Sequence, residues 1–322
     1  MINRILSMIE NAITPRRGTV SVVIPTYYRN DALRAAIESV RSQTYTPIEI
    51  IVVDDSGERY AESVAREYDV TYLAHEENAG ANVARNTGIE VTEGEYVQLL
   101  DDDDRLHPTK IEKQVELFES NPSVGVVYCG IQQENGNLYL PAEENRGDVL
   151  EQALKFSELH PCQTTTMLLR GDLIRSLHPL GDWQSADDIG LKVRAAERME
   201  FDYIDEILVE KGNAGEHRVT KVEFSDDLFG MIEQFEHLYD RFDEQVRRDA
   251  LATAYQSRGV RLLNGSRWSA EAVICFGKAL YYSRSLEPGL VGSFLSSIFG
   301  REMYRLSRRV YHSFSSNAAP TR

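Results

Sequence analysis

Apolar and polar positions in the first part of the chain alternate in a way that predicts strands separated by amphipathic helices. Residues 19–25 and 48–55 are short runs rich in β-branched residues, which is the composition of buried strands. Between them, four apolar residues recur at the spacing of one helix face: Leu33, Ala36, Ile37 and Val40. This succession of strand, helix and strand predicts a βαβ unit.

The same alternation continues to residue 129. Strands are predicted at 70–73, 95–100 and 124–129, with one helix from about Ala81 and another opening at Pro108. Nearly continuous apolar strands between amphipathic helices predict a mostly parallel sheet with helices on both faces. Such sheets bind ligands beyond the carboxyl ends of their strands, where Pro25, Asp54 and Asp101 fall.

After Gly130 the pattern loosens. Polar residues 132–148 predict a hairpin or a loop that folds over a substrate. A strand is predicted at 164–170, a helix at 185–198, a strand at 200–210, and helices from about Val222 onward. We therefore divide the chain into three parts: an N-terminal extension of residues 1–18, an α/β domain of residues 19–221 and a helical domain of residues 222–322.

The composition narrows the classes of partner. Of 322 residues, 51 are acidic and 35 are basic, which gives a formal net charge of −16. Phosphate backbones are bound by clustered lysine and arginine, so this balance argues against non-specific nucleic-acid binding. Seven of the basic residues are lysines. An acidic, lysine-poor surface favours a halophilic archaeon as the source, and an acidic cytoplasmic protein is the alternative.

The cysteines and the lengths of the apolar runs indicate in which cellular compartment the protein is expected. Cys129, Cys162 and Cys275 are odd in number and far apart, which fits neither a disulfide framework nor a zinc site. No apolar run reaches the roughly 18 to 20 residues that a spanning helix needs, so we expect a cytoplasmic protein. Residues 289–314 combine an apolar run with four arginines. They predict either a helix at the inner face of the cell membrane or a helix packed on its own domain.

Four consecutive aspartates, Asp101 to Asp104, follow the strand predicted at 95–100. Two carboxylates about 4 Å apart repel by roughly 4 kcal/mol at an effective dielectric constant near 20, so the cluster requires a positive partner. A solvated acidic surface is one alternative, although this cluster ends an apolar strand. A calcium-binding EF-hand loop is another, although Leu106 stands where the sharp turn of that loop needs glycine.

Several of these segments together resemble a known enzyme family. The segments "VVIPTYYR", "IIVVDDS", "NAGANVARN" and "YVQLLDDDD" occur in the order and spacing of inverting glycosyltransferases of family 2, which have the GT-A fold. The resemblance is close over residues 19–116 and looser to about residue 209. It implies a Rossmann-like, mostly parallel nucleotide-binding sheet flanked by helices, followed here by a helical C-terminal region.

The resemblance also implies a reaction and its partners. Such enzymes transfer a sugar from a nucleotide-sugar donor, and we expect the acceptor to be a hydroxyl or a lipid phosphate in glycan biosynthesis. The implied partners are the nucleotide-sugar donor and a sugar or polyprenyl-phosphate-linked acceptor. The implied cofactor is Mg²⁺ or Mn²⁺, whose preference for oxygen ligands suits an aspartate cluster.

The metal site that the resemblance implies lies in the acidic run. Asp101 and Asp103 match the family's Asp-x-Asp element, in which Asp103 is expected to bind the metal. Asp101 is expected to contact the ribose or the water shell of the metal, and Asp102 fills the variable position beside the nucleotide sugar. His217 matches a histidine that some relatives place near the metal, and a solvent-exposed loop histidine is the alternative.

Contacts to the nucleoside are implied at two strand ends. Asp54 and Asp55 are expected to hold the nucleoside, because a carboxylate at a strand end accepts hydrogen bonds from a base or a ribose. The alternative is that one of them caps the next helix. Pro25, Thr26 and Tyr27 match the family's P-x-Y turn beside the base.

Two further positions are less well defined by the resemblance. Tyr28 stands where the family usually has asparagine. Arg85 matches an arginine near the nucleotide, where a guanidinium pairs with phosphate. An ion pair between Arg85 and the aspartate cluster is the alternative.

The general base is expected in the second half of the chain. Asp187 and Asp188 match the family's Glu-Asp pair, and Asp188 is expected to take the proton from the acceptor hydroxyl. The sequence leaves open which of the two is the base. Two acids at the start of a helix are also ordinary partners of the helix dipole.

Two other functions compete with glycosyl transfer. A catalytically silent relative would act as a scaffold or a sugar-binding module, but acids at both the metal and the base positions argue against it. A sugar nucleotidyltransferase usually carries a glycine-rich, basic loop after its first strand, and "PTYYRND" lacks one. Glycosyl transfer is therefore the function we expect.

Overall fold

The computed structural model describes residues 15–181, 183, 186–212, 224–284 and 287–315, and the side chains up to residue 309. The chain forms two compact units, each assembled from several segments. The first unit comprises Met1–Pro141, Pro161–Leu180 and Arg198–His217. The second comprises Ala142–His160, Gly181–Glu197 and Arg218–Arg322. The predicted domain boundary at residue 221 lies outside the described residues, and that at residue 18 falls within the first strand.

The first unit contains the sheet. Its strands are β1 (Arg16–Thr26), β2 (Ile48–Asp54), β3 (Thr71–Ala74), β4 (Gly94–Leu99), β5 (Arg105–Leu106), β6 (Val124–Gln132), β7 (Leu138–Tyr139), β8 (Leu168–Arg170) and β9 (Glu200–Glu210). In the described part of the chain their order is β3-β2-β1-β4-β8-β6-β9-β5, with β7 paired to β6. The block from β3 to β4 is parallel, as is the β6–β9 pair, whereas β8 runs antiparallel to β4 and β6. The predicted mostly parallel sheet is confirmed.

The described helices follow in chain order. They are α1 (Asn30–Arg41), α2 (Glu62–Glu67), α3 (Ala81–Glu90), α4 (Lys110–Ser120), α5 (Leu150–Leu154), α6 (Gly171–Ser176), α7 (Asp187–Ala196), α8 (Phe224–Gln234), α9 (Glu236–Tyr239), α10 (Glu244–Gly265), α11 (Ala270–Tyr282), α12 (Pro288–Ser297) and α13 (Arg301–Ser315). The predicted helical C-terminal region is confirmed. None of the helices that the structure describes has both the length and the apolar character needed to cross a bilayer.

The core of the first unit follows from the predicted apolar pattern. The four apolar residues that define one face of α1 are all buried, as are Val22, Ile24 and Val52 on the neighbouring strands. Burying one such side chain contributes about 1.5–3 kcal/mol. This packing holds β1, β2 and β4 in register, so their carboxyl ends meet at one edge of the sheet.

Two local predictions differ from the structure. Residues Thr164–Thr166, predicted as strand, form a single 3₁₀ turn, and β8 begins only at Leu168. The cause is local hydrogen bonding, because the Thr166 hydroxyl accepts from the backbone N–H of Gln163 at 2.8 Å and so favours a turn. The helix predicted to open at Pro108 begins at Lys110.

The second unit contains a helical hairpin. Its two helices are α10 and α11, which are joined by residues 266–269. Leu263, Ala272, Phe276 and Tyr304 form a small buried cluster there. The Ser269 hydroxyl accepts from the N–H of Ala272 at 3.1 Å and caps α11, which sets where the second helix begins.

Candidate active site

The aspartate run forms a tight turn directly after β4. The N–H of Asp104 donates to the carbonyl of Asp101 at 3.1 Å, which closes the turn. One carboxylate oxygen from each of Asp101, Asp103 and Asp104 lies within 4.8 Å of the other two. Asp103 and Asp104 are buried, and Asp101 is partly exposed. The turn therefore concentrates negative charge at the carboxyl edge of the sheet.

Two cationic side chains neutralise part of this charge. Nη2 of Arg85 on α3 lies 2.6 Å from Oδ1 of Asp101. Nζ of Lys211, directly after β9, lies 3.1 Å from Oδ2 of Asp104 and 3.4 Å from Oδ2 of Asp101. Of the alternatives for Arg85, the structure shows the ion pair with the aspartate cluster. The positive partner that the sequence requires is thus supplied in part by the protein itself.

Asp102 is bound by residues that follow β1. Its Oδ1 accepts from Nη1 of Arg29 at 2.9 Å, and its Oδ2 accepts from the hydroxyl of Thr26 at 2.8 Å. The same guanidinium approaches Oδ2 of Asp103 at 3.9 Å. Asp102 therefore joins the turn after β1 to the turn after β4.

Asp104 is fully buried and joins two other segments to the cluster. Its Oδ2 accepts from the hydroxyl of Thr165 at 2.6 Å, and its Oδ1 accepts from the N–H of Gly212 at 3.0 Å. A Cβ atom on Gly212 would overlap the backbone carbonyl of Asp103, so only glycine allows the chain to approach this closely. Asp104 acts as a structural anchor of the cluster.

The carboxylates differ in how readily they ionise. Burial raises the pKa of Asp101, but the charges of Arg85 and Lys211 outweigh burial and hold that pKa below its ordinary value. Burial, together with the charges of Asp101 and Asp102, raises the pKa of Asp103. Asp101 is therefore firmly ionised, while the negative charge on Asp103 is disfavoured by its surroundings.

The donor set fits a divalent cation. Asp103 contributes carboxylate oxygens, the ligands that Mg²⁺ and Mn²⁺ prefer, and it lies beside Asp101 and Asp104. Its contact with Arg29 is a long ion pair, and a carboxylate has about four acceptor positions, so Asp103 can accept a further partner. A cation there would also relieve the repulsion that raises the pKa of Asp103.

The Asp54 carboxylate accepts hydrogen bonds from the loop after β2. Its Oδ1 accepts from the N–H of Ser56 at 2.9 Å, and its Oδ2 accepts from the N–H of Ala61 at 2.7 Å and the hydroxyl of Tyr72 at 2.8 Å. Ala61 is the residue that precedes α2. Asp54 therefore binds the N–H of the residue that precedes α2, and its expected contact with a nucleoside stays a prediction.

Asp55 stabilises the turn that leads into α3. Its carboxylate accepts from the N–H groups of Ala79 and Gly80, both at 2.8 Å, and lies 2.7 Å from Nδ1 of His75. Because α3 carries Arg85, Asp55 fixes the position from which the guanidinium reaches Asp101. Its expected contact with the nucleoside likewise stays a prediction.

The turn after β1 has an unusual backbone conformation. Pro25 and Thr26 are buried, Tyr27 is half-buried, and Tyr28 has a φ of 54°, in the left-handed region. Asparagine tolerates this region better than most non-glycine residues, and tyrosine is an uncommon occupant. The Tyr28 ring packs 4.7 Å from the Tyr27 ring and 5.0 Å from the Tyr60 ring, and these contacts support the conformation.

Asp187 and Asp188 belong to the second unit, where they form the first turn of α7. Oδ2 of Asp188 lies 3.6 Å from Nζ of Lys192, one turn further along the helix. The helix start also fits the dipole alternative, so the base assignment stays a prediction.

Trp183 precedes the acid pair along the chain, and His217 is the remaining residue predicted from the sequence. Trp183 is 8% exposed, and a Cβ atom on Gly190 of α7 would overlap its ring, so the indole packs beneath the helix. His217 lies outside the described residues. Its predicted contact with the metal stays a prediction.

Four residues of the site were not predicted from the sequence: Arg29, Thr165, Lys211 and Gly212. A weak signal existed for the Lys211–Gly212 pair, since a scarce lysine followed by glycine comes directly after the long strand β9. Arg29 and Thr165 offered no such signal, because their partners lie 73 and 61 positions away along the chain.

Comparison with known protein sequences identifies related proteins. Residues 21–177 match the model of glycosyl transferase family 2, a span that includes the aspartate run and ends before Asp187. An uncharacterized glycosyltransferase of Rickettsia prowazekii is 27% identical over 323 residues, which covers 94% of each chain. The uncharacterized glycosyltransferase YibD of Escherichia coli is 43% identical over 97 residues, 29% of this chain and 28% of that one. Residues 21–177 form a glycosyl transferase family 2 domain, and the protein is a glycosyltransferase.

Solved structures show the same fold. TarS residues 1–349 of S. aureus, solved with UDP-GlcNAc, superposes with a TM-score of 0.60 at 17% identity and covers 92% of each chain. The mannosyltransferase PcManGT of Pyrobaculum calidifontis, solved with GDP-Man and Mn²⁺, superposes with a TM-score of 0.55 at 16% identity. That match covers 90% of this chain and 83% of PcManGT. The expected GT-A fold is confirmed.

Proposed function

We propose that the protein transfers a sugar from a nucleotide-sugar donor to an acceptor hydroxyl, by a single displacement that inverts the anomeric carbon and depends on a divalent metal. The observation that supports this most directly is the convergence of three carboxylates at the carboxyl edge of the sheet. A lipid phosphate is the second acceptor class. The UDP-GlcNAc bound to TarS and the GDP-Man and Mn²⁺ bound to PcManGT support the choice of donor class and cofactor.

In this proposal the metal site is built on Asp103, with Asp101 beside it. A bound Mg²⁺ or Mn²⁺ supplies positive charge that stabilises the departing nucleoside diphosphate. Arg85 and Lys211 keep Asp101 ionised and fix the direction of its carboxylate. These side chains orient the acidic turn before any donor binds, which lowers the cost of organising the site.

The nucleoside is held, in this proposal, beside the turns after β1 and β2. Tyr27, Tyr28 and Tyr60 form an aromatic group there, and 46% of Tyr60 is exposed. Aromatic rings of this kind stack on nucleobases with little dependence on the base. Asp54 and Asp55 support this region by fixing the two loops, in addition to the direct contacts expected of them.

Asp188 is the proposed general base. It removes the proton from the acceptor hydroxyl while the oxygen forms a bond to the anomeric carbon and the bond to the diphosphate breaks. The proton moves to the carboxylate, and the electron pair of the broken bond leaves with the diphosphate. Nζ of Lys192 lies 3.6 Å from Oδ2 of Asp188, one helical turn further along α7. Asp187 stands beside it as the other acid of the pair.

The proposal is tested by thermal unfolding with a series of nucleotide sugars, each with and without Mn²⁺. The wild-type protein should gain thermal stability with its donor mainly when Mn²⁺ is present. Asp103→Asn should abolish that metal-dependent gain, because the amide removes the charge that attracts the cation. Asp31→Asn is the matched control, since Asp31 is fully exposed on α1 and should leave the gain unchanged.

An Asp103→Asn variant that keeps the full Mn²⁺-dependent gain would rule out the proposed metal site. Donor binding without transfer to any acceptor, and without slow hydrolysis of the donor, would instead favour the silent sugar-binding module.

A further inference from the structure

An exposed apolar corner lies in the second unit, where α12 turns into α13. Leu295, Ile298 and Phe299 are 53%, 45% and 74% exposed there. Nε1 of Trp268 donates to the carbonyl of Ile298 at 2.9 Å, so the indole lies at the same corner, where it is 57% exposed. We call these four residues the apolar corner.

The first turns of α13 extend this exposure. Tyr304 is buried, with its ring 5.6 Å from that of Phe276, and the Ser307 hydroxyl donates to that of Ser296 at 3.0 Å. These contacts fix which side of α13 faces its own unit. Met303 and Leu306, three positions apart on the helix, are nevertheless 47% and 53% exposed. The helix is thus anchored on one side and exposes apolar side chains on another.

The charge of this region is opposite to that of the chain as a whole. The chain carries a formal charge of −16, yet residues 299–309 contain four arginines and one glutamate. Arg305, Arg308 and Arg309 are exposed on α13. Arg267, also exposed, lies at the corner, where its carbonyl accepts from the N–H of Arg301 at 2.9 Å. Exposed aromatic and aliphatic side chains therefore stand beside a local excess of positive charge.

We propose that the apolar corner and the adjoining arginines of α13 form a docking surface for an anionic lipid membrane. Tryptophan, phenylalanine and leucine insert at the boundary between headgroups and acyl chains, while arginines contact anionic headgroups. A negatively charged protein would otherwise be repelled by such a membrane, so the basic segment is matched to this partner in charge. The proposal goes beyond glycosyl transfer and does not depend on the proposed metal or base.

The test uses the full chain and vesicles of phosphatidylcholine, with or without about one third phosphatidylglycerol. The protein should sediment with the anionic vesicles, remain free with neutral ones, and be released as the salt concentration rises. Trp268 is an intrinsic reporter, because the other tryptophan, Trp183, is 8% exposed. Brominated acyl chains in the anionic vesicles should therefore quench the fluorescence of Trp268.

Two double variants separate the apolar and the charged contributions. Leu295→Ser with Phe299→Ser, and Arg305→Glu with Arg308→Glu, should each lower the partition coefficient at least about tenfold. Leu138→Ser and Arg66→Glu are matched controls on the first unit. Leu138 is 41% exposed and the Arg66 side chain is 77% exposed. Both control variants should bind vesicles as the wild type does. Circular dichroism checks that each variant is folded.

Three outcomes would overturn the proposal. The first is wild-type protein that does not prefer anionic vesicles. The second is vesicle binding that survives in both folded double variants. The third combines two results: the wild type sediments as a dimer, and the Leu295→Ser, Phe299→Ser variant is a monomer that still binds vesicles as the wild type does. The apolar corner would then be a self-association surface.

Discussion

Single carboxylates in the aspartate cluster experience different electrostatic surroundings. Arg85 and Lys211 stabilise the ionised form of Asp101, whereas burial and neighbouring carboxylates disfavour the ionised form of Asp103. Asp104 is bound by Lys211, Thr165 and a backbone N–H, and burial raises its pKa to about 6. Asp103, in contrast, has among the described residues only the long contact with Arg29 at 3.9 Å, so it can take a further positive partner, as expected of a carboxylate that binds a cation.

At the same scale, the base assignment predicts a selective kinetic defect. Asp188→Asn keeps the shape of the side chain and removes its ability to accept a proton. We expect kcat for transfer to a hydroxyl acceptor to fall by about 100-fold or more, with the KM for the donor nearly unchanged. Steady-state kinetics with the donor identified by the thermal screen measure both constants.

Asp187→Asn is the neighbouring control. Loss of turnover in that variant, with normal turnover in Asp188→Asn, would move the base to Asp187. Normal turnover in both variants would reject the pair as the source of the base.

At the scale of elements, the site is an assembly of turns that follow strands. The turns after β1 and β4 are joined through Asp102, and the segment after β9 is joined to the cluster through Lys211 and Gly212. Asp55 positions the start of α3 and thereby Arg85. Each contact is short in space and long in sequence, so the geometry of the site depends on the register of the sheet.

Gly212 tests this dependence. In Gly212→Ala the new methyl group would overlap the carbonyl of Asp103 and push the segment after β9 away from the cluster. We expect the free energy of unfolding to fall by about 1–3 kcal/mol. We also expect Mn²⁺-dependent donor affinity to fall at least about tenfold, because the contacts of Lys211 and Gly212 with Asp104 would be lost.

Gly230→Ala is the matched control. Gly230 lies within α8 and has open space around the position of a Cβ atom, so alanine should raise the free energy of unfolding by about 0.5–1 kcal/mol. Urea unfolding and calorimetric titration measure the two quantities. Unchanged donor affinity in Gly212→Ala would show that the close approach is not required for binding.

At the scale of the whole molecule, a buried lysine that has no role in the proposed reaction affects the stability of the fold. Lys110 on α4 is completely buried, and its Nζ donates to Oε1 of Gln98 and, at 2.7 Å, to Oε1 of Gln114. Burial lowers the pKa of Lys110 to about 8. Amide oxygens satisfy the ammonium group but do not neutralise it, so folding near neutral pH includes the cost of a buried charge.

This cost predicts how stability depends on pH. Unfolded lysine has a pKa near 10.4, so between about pH 8 and 10.4 the unfolded state binds more protons at this position than the folded state does. The Lys110 contribution to the free energy of unfolding should therefore rise with pH in that window, by up to about 3 kcal/mol. Below about pH 8 it should be constant.

Urea unfolding of the wild type and Lys110→Met from pH 7 to 10 isolates this contribution. The difference between the two proteins should change with pH, since the other titrating groups are common to both and burial raises the pKa of Cys129 to about 11, above this range. The variant leaves two amide oxygens without their donor, which shifts its stability by an amount that does not depend on pH. A constant difference across the range would contradict the lowered pKa.

Much of the architecture was predictable because its signals are local. The period of apolar residues in α1 and in the strands from β1 to β6 reports directly which face is buried, and the aspartate run visibly follows a strand. The 3₁₀ turn at Thr164–Thr166 was missed because side-chain hydrogen bonds outweighed the β-branched composition. The origin from a halophilic archaeon, the domain boundaries and the roles of the site residues stay predictions.

The sequence by itself determined the fold class, the family and the place where negative charge accumulates, since periodicity and short motifs are properties of neighbouring residues. Only the tertiary structure decided what surrounds that charge. Lys211 reaches Asp104 across 107 positions, and Arg29 reaches Asp102 across 73. It also decided that the Asp54 carboxylate accepts from the N–H groups of Ser56 and Ala61 in the loop before α2. Such pairings depend on strand register and on the order of the strands in the sheet, which no local pattern of residues encodes.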